Sequence, residues 1–147
     1  MEEHLVTFKL GSEEFGVDIM QVQEIIKIPP ITLVPRAPKF VEGVINLRGN
    51  VIPVINLKRR FEIANPGDSE NFRIIVIQVQ GRTTGIMVDQ VVEVLHLPVE
   101  DIEPPPPVTS GNESGYIRGV GKVGERLVVL LEVDKIIEKD YAERKAG

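Results

Sequence analysis

The sequence contains an internal duplication, and this feature constrains the fold more than any other. Residues 5–29 align with residues 74–98 without a gap, at a separation of 69 residues. The identical pairs are Gly16 with Gly85, Gln21 with Gln90, Val22 with Val91, Glu24 with Glu93, and Pro29 with Pro98. Apolar positions also coincide, so both stretches are expected to form the same supersecondary unit.

A second block of the duplication aligns at a separation of 76 residues. It places residues 43–44 on 119–120 and residues 51–55 on 127–131. The seven additional residues lie in the second copy, around the run Pro104–Pro107. Such a run is most often a stiff connector, and a polyproline ligand for SH3-type partners is the alternative.

The apolar residues are mostly branched at Cβ, because the chain has 21 Val and 17 Ile against 10 Leu. Such residues favour strands over helices. Each copy reads as about five short strands, which suits a small SH3-like barrel. We therefore predict a mainly β fold of two pseudo-symmetric five-stranded SH3-like barrels around a shared hydrophobic core. The copies span residues 5–70 and 71–133, with strand exchange between them left open.

Local patterns predict four further elements. A helical turn is expected after Asp18, because Asp caps helix N-termini well, and an extended segment follows over Val22–Ile28. A hairpin is expected between Val41–Leu47 and Val51–Leu57, turning through Arg48-Gly49-Asn50. A C-terminal helix is expected over residues 134–144, where Ile136, Ile137 and Tyr141 form one apolar stripe.

The amino-acid composition argues against several classes of function. Without cysteine the chain has no disulfide, thiolate nucleophile or cysteine-ligated metal. The two histidines, His4 and His96, are isolated in the sequence, so no metal site of several histidines is expected. A net charge of −5 argues against binding to nucleic acid or anionic membranes, where contacts with phosphate dominate.

No targeting or membrane-spanning pattern is visible. The N-terminal residues lack the basic and apolar regions of a secretory signal. The longest uninterrupted apolar run, Leu127–Leu131, is far too short to cross a bilayer. A cytoplasmic protein is therefore expected.

Residues 119–124 spell G-x-G-x-x-G, the fingerprint of a dinucleotide-binding turn. That motif works only where a helix N-terminus follows, so that backbone amides face the pyrophosphate. The residues that follow, Leu127–Leu131, have the pattern of a strand. We therefore interpret these glycines as bends in a strand and hairpin, and we expect no cofactor.

Carboxylates are the remaining candidates for chemistry. Asp18 with Glu24, and Asp89 with Glu93, are the pairs that could do general acid–base work, which is the enzyme alternative. Glu24 has a second interpretation, because alternation places it in an otherwise apolar row with Val22 and Ile26. A carboxylate in such a row must either lie at the solvent-exposed rim of the barrel or pair with a cation.

Arg48 is the candidate cation for Glu24. It would project from the turn Asn46-Leu47-Arg48-Gly49, in which Gly49 suits a positive φ. The second copy lacks this motif and has Lys122-Val123-Gly124-Glu125 instead. The first copy is therefore a candidate for a specialised surface.

Four stretches of the chain resemble the CheW-like family of bacterial chemotaxis coupling proteins. They are residues 14–19, 22–25, 43–49 and 51–57, and the second copy adds 85–89 and 91–94. The similarity covers roughly residues 4–140. This resemblance implies two five-stranded barrels around a common core and a function without catalysis, cofactor or metal.

The resemblance also implies partners. Proteins of this family bridge the cytoplasmic tips of methyl-accepting chemoreceptors and the regulatory domain of the histidine kinase CheA, at the inner face of the membrane. Glu24 and Arg48 match the family's charged pair, and Gly43, Asn46 and Gly49 match its turn positions. The hydrophobic residues in the segment expected to form receptor and kinase surfaces are Ile19, Val22 and Ile25. Besides an enzyme, the other alternative to an adaptor is a structural or small-molecule-binding double barrel unconnected with signalling.

Overall fold

The computed structural model describes residues 1–64, 67–105 and 115–137, which form eleven strands, one short helix and a helical segment at residues 133–137. The strands are β1 (Glu2–Leu10), β2 (Glu13–Asp18), β3 (Val22–Lys27), β4 (Val41–Leu47), β5 (Asn50–Asn56), β6 (Arg73–Val79), β7 (Arg82–Val88), β8 (Gln90–Pro98), β9 (Ile102–Glu103), β10 (Ile117–Val123) and β11 (Arg126–Leu131). Helix α1 spans Leu57–Arg60, and 3₁₀ turns occupy Ile19–Gln21, Ser69–Asn71 and Val99–Asp101. The predicted mainly β fold is confirmed.

The predicted local elements are present with small shifts at their ends. The turn after Asp18 is a 3₁₀ turn, and the Asp18 side chain caps it by accepting a hydrogen bond from the Met20 amide at 2.9 Å. Residues 119–123 lie in β10, and Gly124 begins a turn into β11. The G-x-G-x-x-G segment is therefore followed by a strand, as predicted.

The strands form two sheets that combine both copies of the duplication. The order is β3-β6-β7-β5-β4 in the five-stranded sheet and β8-β1-β2-β11-β10-β9 in the six-stranded sheet. Each N-terminal hairpin of a copy, β1–β2 or β6–β7, joins the remaining strands of the other copy. The boundary between residues 70 and 71 therefore divides the duplication and not the two barrels.

A physical reason for this exchange lies in the two-sided burial of the exchanged strands. In β6, Ile74 and Val76 face the interior of the five-stranded barrel, whereas Ile75 and Ile77 face the core between the barrels. Alternate residues of a strand point to opposite faces, so one strand serves both cores. A hairpin placed at the junction buries both of its faces, which is more apolar area than one barrel alone would cover.

Three apolar clusters form the interior. The shared core draws on both sheets and includes Phe8, Phe15, Ile75 and Ile86. The five-stranded barrel encloses the cluster Ile45, Ile52, Val54, Ile74 and Val76. The six-stranded barrel encloses the cluster Leu5, Leu97, Val128 and Leu130.

The barrels differ in their strand number because of one short segment. The prediction gave five strands to each barrel, but β9 pairs with β10 as a sixth strand. In the other barrel the corresponding segment makes a single bridge, in which Thr32 and Val44 exchange two backbone hydrogen bonds of 2.9 Å. Two paired residues make β9 a short strand, whereas the single bridge at Thr32 does not extend into one.

The C-terminal segment packs on the shared core. Residues 133–137 are helical, and Val133, Ile136 and Ile137 are buried there. The rest of the predicted helix, including Tyr141, lies outside the described residues, as does most of the proline-containing insertion. None of the helices in the described ranges combines the length and the apolar composition that a membrane-spanning helix requires.

Candidate interaction surface on the five-stranded barrel

The β4–β5 hairpin turn presents Arg48 to solvent. Leu47 pairs with Asn50, so Arg48 and Gly49 alone form the loop, with φ angles of 51° and 89°. Two central residues with positive φ define the type I′ turn that suits the twist of antiparallel strands. The Asn46 side chain secures it, because its Oδ1 accepts a hydrogen bond from the Gly49 amide at 2.8 Å.

Arg48 meets Glu24 in a two-pronged ion pair. Nη1 of Arg48 lies 3.1 Å from Oε1 of Glu24, and Nη2 bonds to Oε2. Strands β3 and β4 are the two edges of the five-stranded sheet, so the pair links one edge to the turn at the other. The hydrogen bonds from Arg48 lower the pKa of Glu24, and the pKa of Arg48 is raised in turn.

The hydrophobic candidates differ in their exposure. Ile19 and Val22 are half-buried and pack against the shared core, whereas Ile25, on the outward face of β3, is 41% exposed. Two apolar side chains that the sequence reasoning did not select are more exposed. These are Met20 at 86%, in the 3₁₀ turn before β3, and Val51 at 71%, opposite Asn46 in the hairpin. We name Met20, Ile25, Asn46, Arg48 and Val51, with Glu24, the β3–turn surface.

Gly43 lies beneath this surface and not on it. It is buried, its φ is +147°, and a Cβ built there would lie 2.2 Å from the carbonyl oxygen of Thr32. The missing side chain is what allows Thr32 to bridge to Val44. Gly119 repeats the arrangement in the second copy, where a Cβ would lie 2.8 Å from the Glu103 carbonyl oxygen.

The six-stranded barrel has its own carboxylate–arginine cluster, which sequence reasoning missed. Arg126, at the start of β11, donates hydrogen bonds of 2.6 and 3.2 Å to Glu14 and one of 2.8 Å to Glu93. Both carboxylates raise the pKa of Arg126, and Glu14 has the larger effect. Glu93 is the counterpart of Glu24, so each barrel joins this glutamate to an arginine at or beside its hairpin turn.

The carboxylates considered for acid–base chemistry have separate partners. Asp18 caps the 3₁₀ turn, and Glu24 binds Arg48. Asp89 is buried, accepts a hydrogen bond from the Gly11 amide at 2.9 Å and lies 3.2 Å from Nζ of Lys58. A cavity of about 280 Å³ borders Asp89 and Lys58. Because both charged groups are already engaged, the cavity presents no free carboxylate pair.

His4 and His96 are adjacent in the structure, although the sequence separates them widely. They pair directly across β1 and β8, and their rings stack with centroids 4.2 Å apart. The prediction that the two histidines are isolated from each other is therefore wrong. The pairing of β1 with β8 brings them together, and the register of that pairing could not be predicted from the sequence.

Comparison with known proteins gives consistent matches along the chain. A family model described as the CheW-like domain matches residues 4–140. The chemotaxis protein CheW of Treponema pallidum (strain Nichols) is 36% identical over 147 residues, covering 97% of this chain and 86% of that protein. The chemotaxis protein CheW of Rhizobium meliloti (strain 1021) is 37% identical over 139 residues, covering 95% and 90%.

A solved structure also resembles this one. The crystal structure of the scaffolding protein TtCheW from Thermoanaerobacter tengcongensis superimposes with a TM-score of 0.84 at 41% identity. The superposition covers 90% of each chain. The two proteins therefore share a fold over most of the chain.

Proposed function

Because this chain belongs to the CheW-like domain family, we propose that it couples transmembrane chemoreceptors to the histidine kinase CheA through protein–protein contacts. The family assignment confirms the resemblance drawn from the sequence motifs, and it makes the chain a chemotaxis coupling adaptor. The kinase and receptor as direct partners, and a position at the cytoplasmic face of the membrane within receptor arrays, belong to the proposal.

The β3–turn surface is the observation that carries the proposal. It combines exposed apolar side chains with an ion pair that holds the hairpin turn against β3. Protein-binding surfaces commonly combine apolar anchors with arginine, which contacts carboxylates in a defined geometry. We propose that Ile25, Asn46, Arg48 and Gly49 contact a partner, and that Ile19, Val22 and Gly43 support them from below.

An adaptor of this kind acts without chemistry of its own. It changes kinase activity only if it binds the kinase's active and inactive states unequally, or if it fixes the kinase beside the receptor. Each contact can be weak where many are made together, since linked binding sites raise the effective concentration. The separate engagement of Asp18, Glu24, Asp89 and Glu93 supports this non-catalytic interpretation over the enzyme alternative.

The direct test is a reconstituted kinase assay with receptor cytoplasmic fragments, CheA and the present protein. We expect Arg48→Glu and Glu24→Lys each to reduce receptor-stimulated phosphorylation, because each change places like charges together. The double exchange restores the attraction and should recover part of the activity. Strictly additive losses would show that the pairing is unimportant for coupling.

A matched control reverses a charge in an exposed ion pair elsewhere. Lys122 lies 2.9 Å from Glu103 on the six-stranded barrel, and both side chains are exposed. Lys122→Glu should leave stimulation close to that of the unaltered protein. A pull-down with the receptor fragment and the CheA regulatory domain tests the adaptor role itself, and failure to retain either partner would contradict it.

A further inference from the structure

The start of β1 and the end of β8 bring two imidazoles and a carboxylate together. His4 lies opposite His96, and their rings are stacked with an angle of 19° between their planes. Glu2 precedes His4 by two residues, so alternation places both on the same face of β1. Oε1 of Glu2 lies 3.8 Å from Nε2 of His4.

We propose that Glu2, His4 and His96 form a binding site for a divalent transition-metal ion such as Zn²⁺. One ligand atom from each of the three side chains lies within 4.8 Å of the other two. Nitrogen ligands of a tetrahedral zinc ion are about 3.3 Å apart, given metal–nitrogen distances of about 2.0–2.1 Å. A limit of 4.8 Å exceeds that spacing by about 1.5 Å, and binding requires the three exposed side chains to rotate toward one another by that amount.

The backbone around the proposed site is already ordered. Consecutive residues from Glu2 to Val6 pair with Pro98 to Val94 in one uninterrupted register. The amide of Val99 also donates a hydrogen bond of 3.1 Å to the Met1 carbonyl, which fixes the end of the ladder. Fixed strands reduce the conformational entropy that the ligands lose on binding, which favours chelation.

The donor set determines the class of ion. Imidazole favours Zn²⁺, Ni²⁺ and Cu²⁺, whereas Mg²⁺ and Ca²⁺ prefer sites composed of oxygen ligands. The side chains of Glu2 and His4 are about half exposed, at 51% and 50%, so solvent can complete the coordination. The geometry thus corresponds to an open, exchangeable site on the six-stranded barrel, separate from the β3–turn surface of the other barrel.

The test uses the full chain without an affinity tag, titrated with ZnCl₂ near pH 7.5 by isothermal calorimetry. We expect one ion per chain, because the three groups form a single cluster. His4 and His96 are the only two histidines in the sequence, so both imidazole NMR signals should shift together during the titration. A large excess of Mg²⁺ should not displace the zinc.

Variants distinguish this site from adventitious binding. His4→Gln and His96→Gln should each weaken zinc binding by roughly tenfold or more, because each removes one of three ligands. Glu2→Gln should weaken it less, and Glu125→Gln, at an exposed turn position, should leave it unchanged. Absence of zinc binding, or binding of unchanged affinity after loss of either histidine, would overturn the proposal.

Discussion

Arg126 binds Glu93 across the six-stranded barrel, in the role that Arg48 has toward Glu24 in the five-stranded barrel. The two glutamates are equivalent by the duplication, and each lies on an edge strand of its sheet. The arginines are not equivalent, because Arg126 aligns with Asn50 and not with Arg48. The two halves of the molecule have therefore reached the same contact with different residues. Such a contact ties an edge strand to a hairpin and helps to close each barrel.

Replacement of Arg126 by methionine should destabilise the fold. Arg126 also binds Glu14, which is buried, and loss of the guanidinium leaves that carboxylate without its cation. Because Arg126 is partly exposed, we expect a loss of about 1–3 kcal/mol in the free energy of unfolding, below the range for fully buried pairs. Urea denaturation of the native protein and the variant at neutral pH measures this difference in the free energy of unfolding.

Lys122→Met is the control for Arg126→Met. It also removes a cation, but its partner Glu103 is exposed, so no measurable loss of stability is expected. Equal effects of the two substitutions would contradict the importance assigned to the burial of Glu14.

Gly43→Ala should be more damaging than Gly49→Ala, although both glycines have positive φ. At Gly43 a new Cβ would lie 2.2 Å from the Thr32 carbonyl oxygen, whereas at Gly49 nothing lies within 4 Å. We expect a loss of about 2–4 kcal/mol at Gly43 and about 1 kcal/mol at Gly49.

Hydrogen exchange separates these two glycine effects. The Val44 amide donates to the Thr32 carbonyl at 2.9 Å, so its protection should fall in Gly43→Ala and stay the same in Gly49→Ala. Similar losses of stability with unchanged Val44 protection would show that backbone conformation, and not the close approach, determines the requirement for glycine.

Structural features that depend on short-range chemistry can be predicted from the sequence. The turn at Arg48 and Gly49 could be predicted because residues that tolerate positive φ are few and stand between two alternating segments. The pairing of Glu24 with Arg48 is a prediction of the same kind, because a carboxylate in an apolar row needs either a rim position or a cation. The family motifs around these residues supported the same interpretation.

Contacts that depend on the register between distant strands could not be predicted from the sequence. The duplication aligned Arg48 with Gly124, so Arg126 was overlooked even though it forms the equivalent contact. The neighbouring positions of His4 and His96 depend on the pairing of β1 with β8, which joins the two copies. Equivalent hairpins have equivalent apolar patterns, and so the pattern alone did not establish which copy each hairpin joins.

Replacement of Arg48 by methionine should raise the pKa of Glu24. In the native protein the hydrogen bonds from Arg48 hold that pKa below its ordinary value of 4.5, against partial burial, which acts in the opposite direction. Loss of Arg48 leaves only the effect of burial. A titration that follows the Glu24 side-chain carboxyl by ¹³C NMR gives the pKa directly, and an unchanged value would contradict the pairing.

The stability conferred by the Glu24–Arg48 pair should depend on pH in a defined direction. Since the pKa of Glu24 is lower in the folded than in the unfolded chain, the contribution is present above pH 4.5 and is lost as the pH falls through the folded-state value. The difference in stability between the native protein and Arg48→Met should therefore narrow in acid. Lys122→Met, as a control, should leave the pKa of Glu24 unchanged.

The two copies of the duplication should not fold separately. A fragment of residues 1–70 contains β1–β5, but β1 and β2 would lack β8 and β11, and β3 and β5 would lack β6 and β7. The remaining edges and the open face of the shared core would be exposed to water, and a half-chain of this size cannot compensate for that loss. We expect fragments 1–70 and 71–147 each to give the circular dichroism spectrum of an unfolded chain, and an equimolar mixture to recover strand signal. Cooperative unfolding of either fragment by itself would show that a copy can close its own barrel, with its N-terminal hairpin returned to its own half.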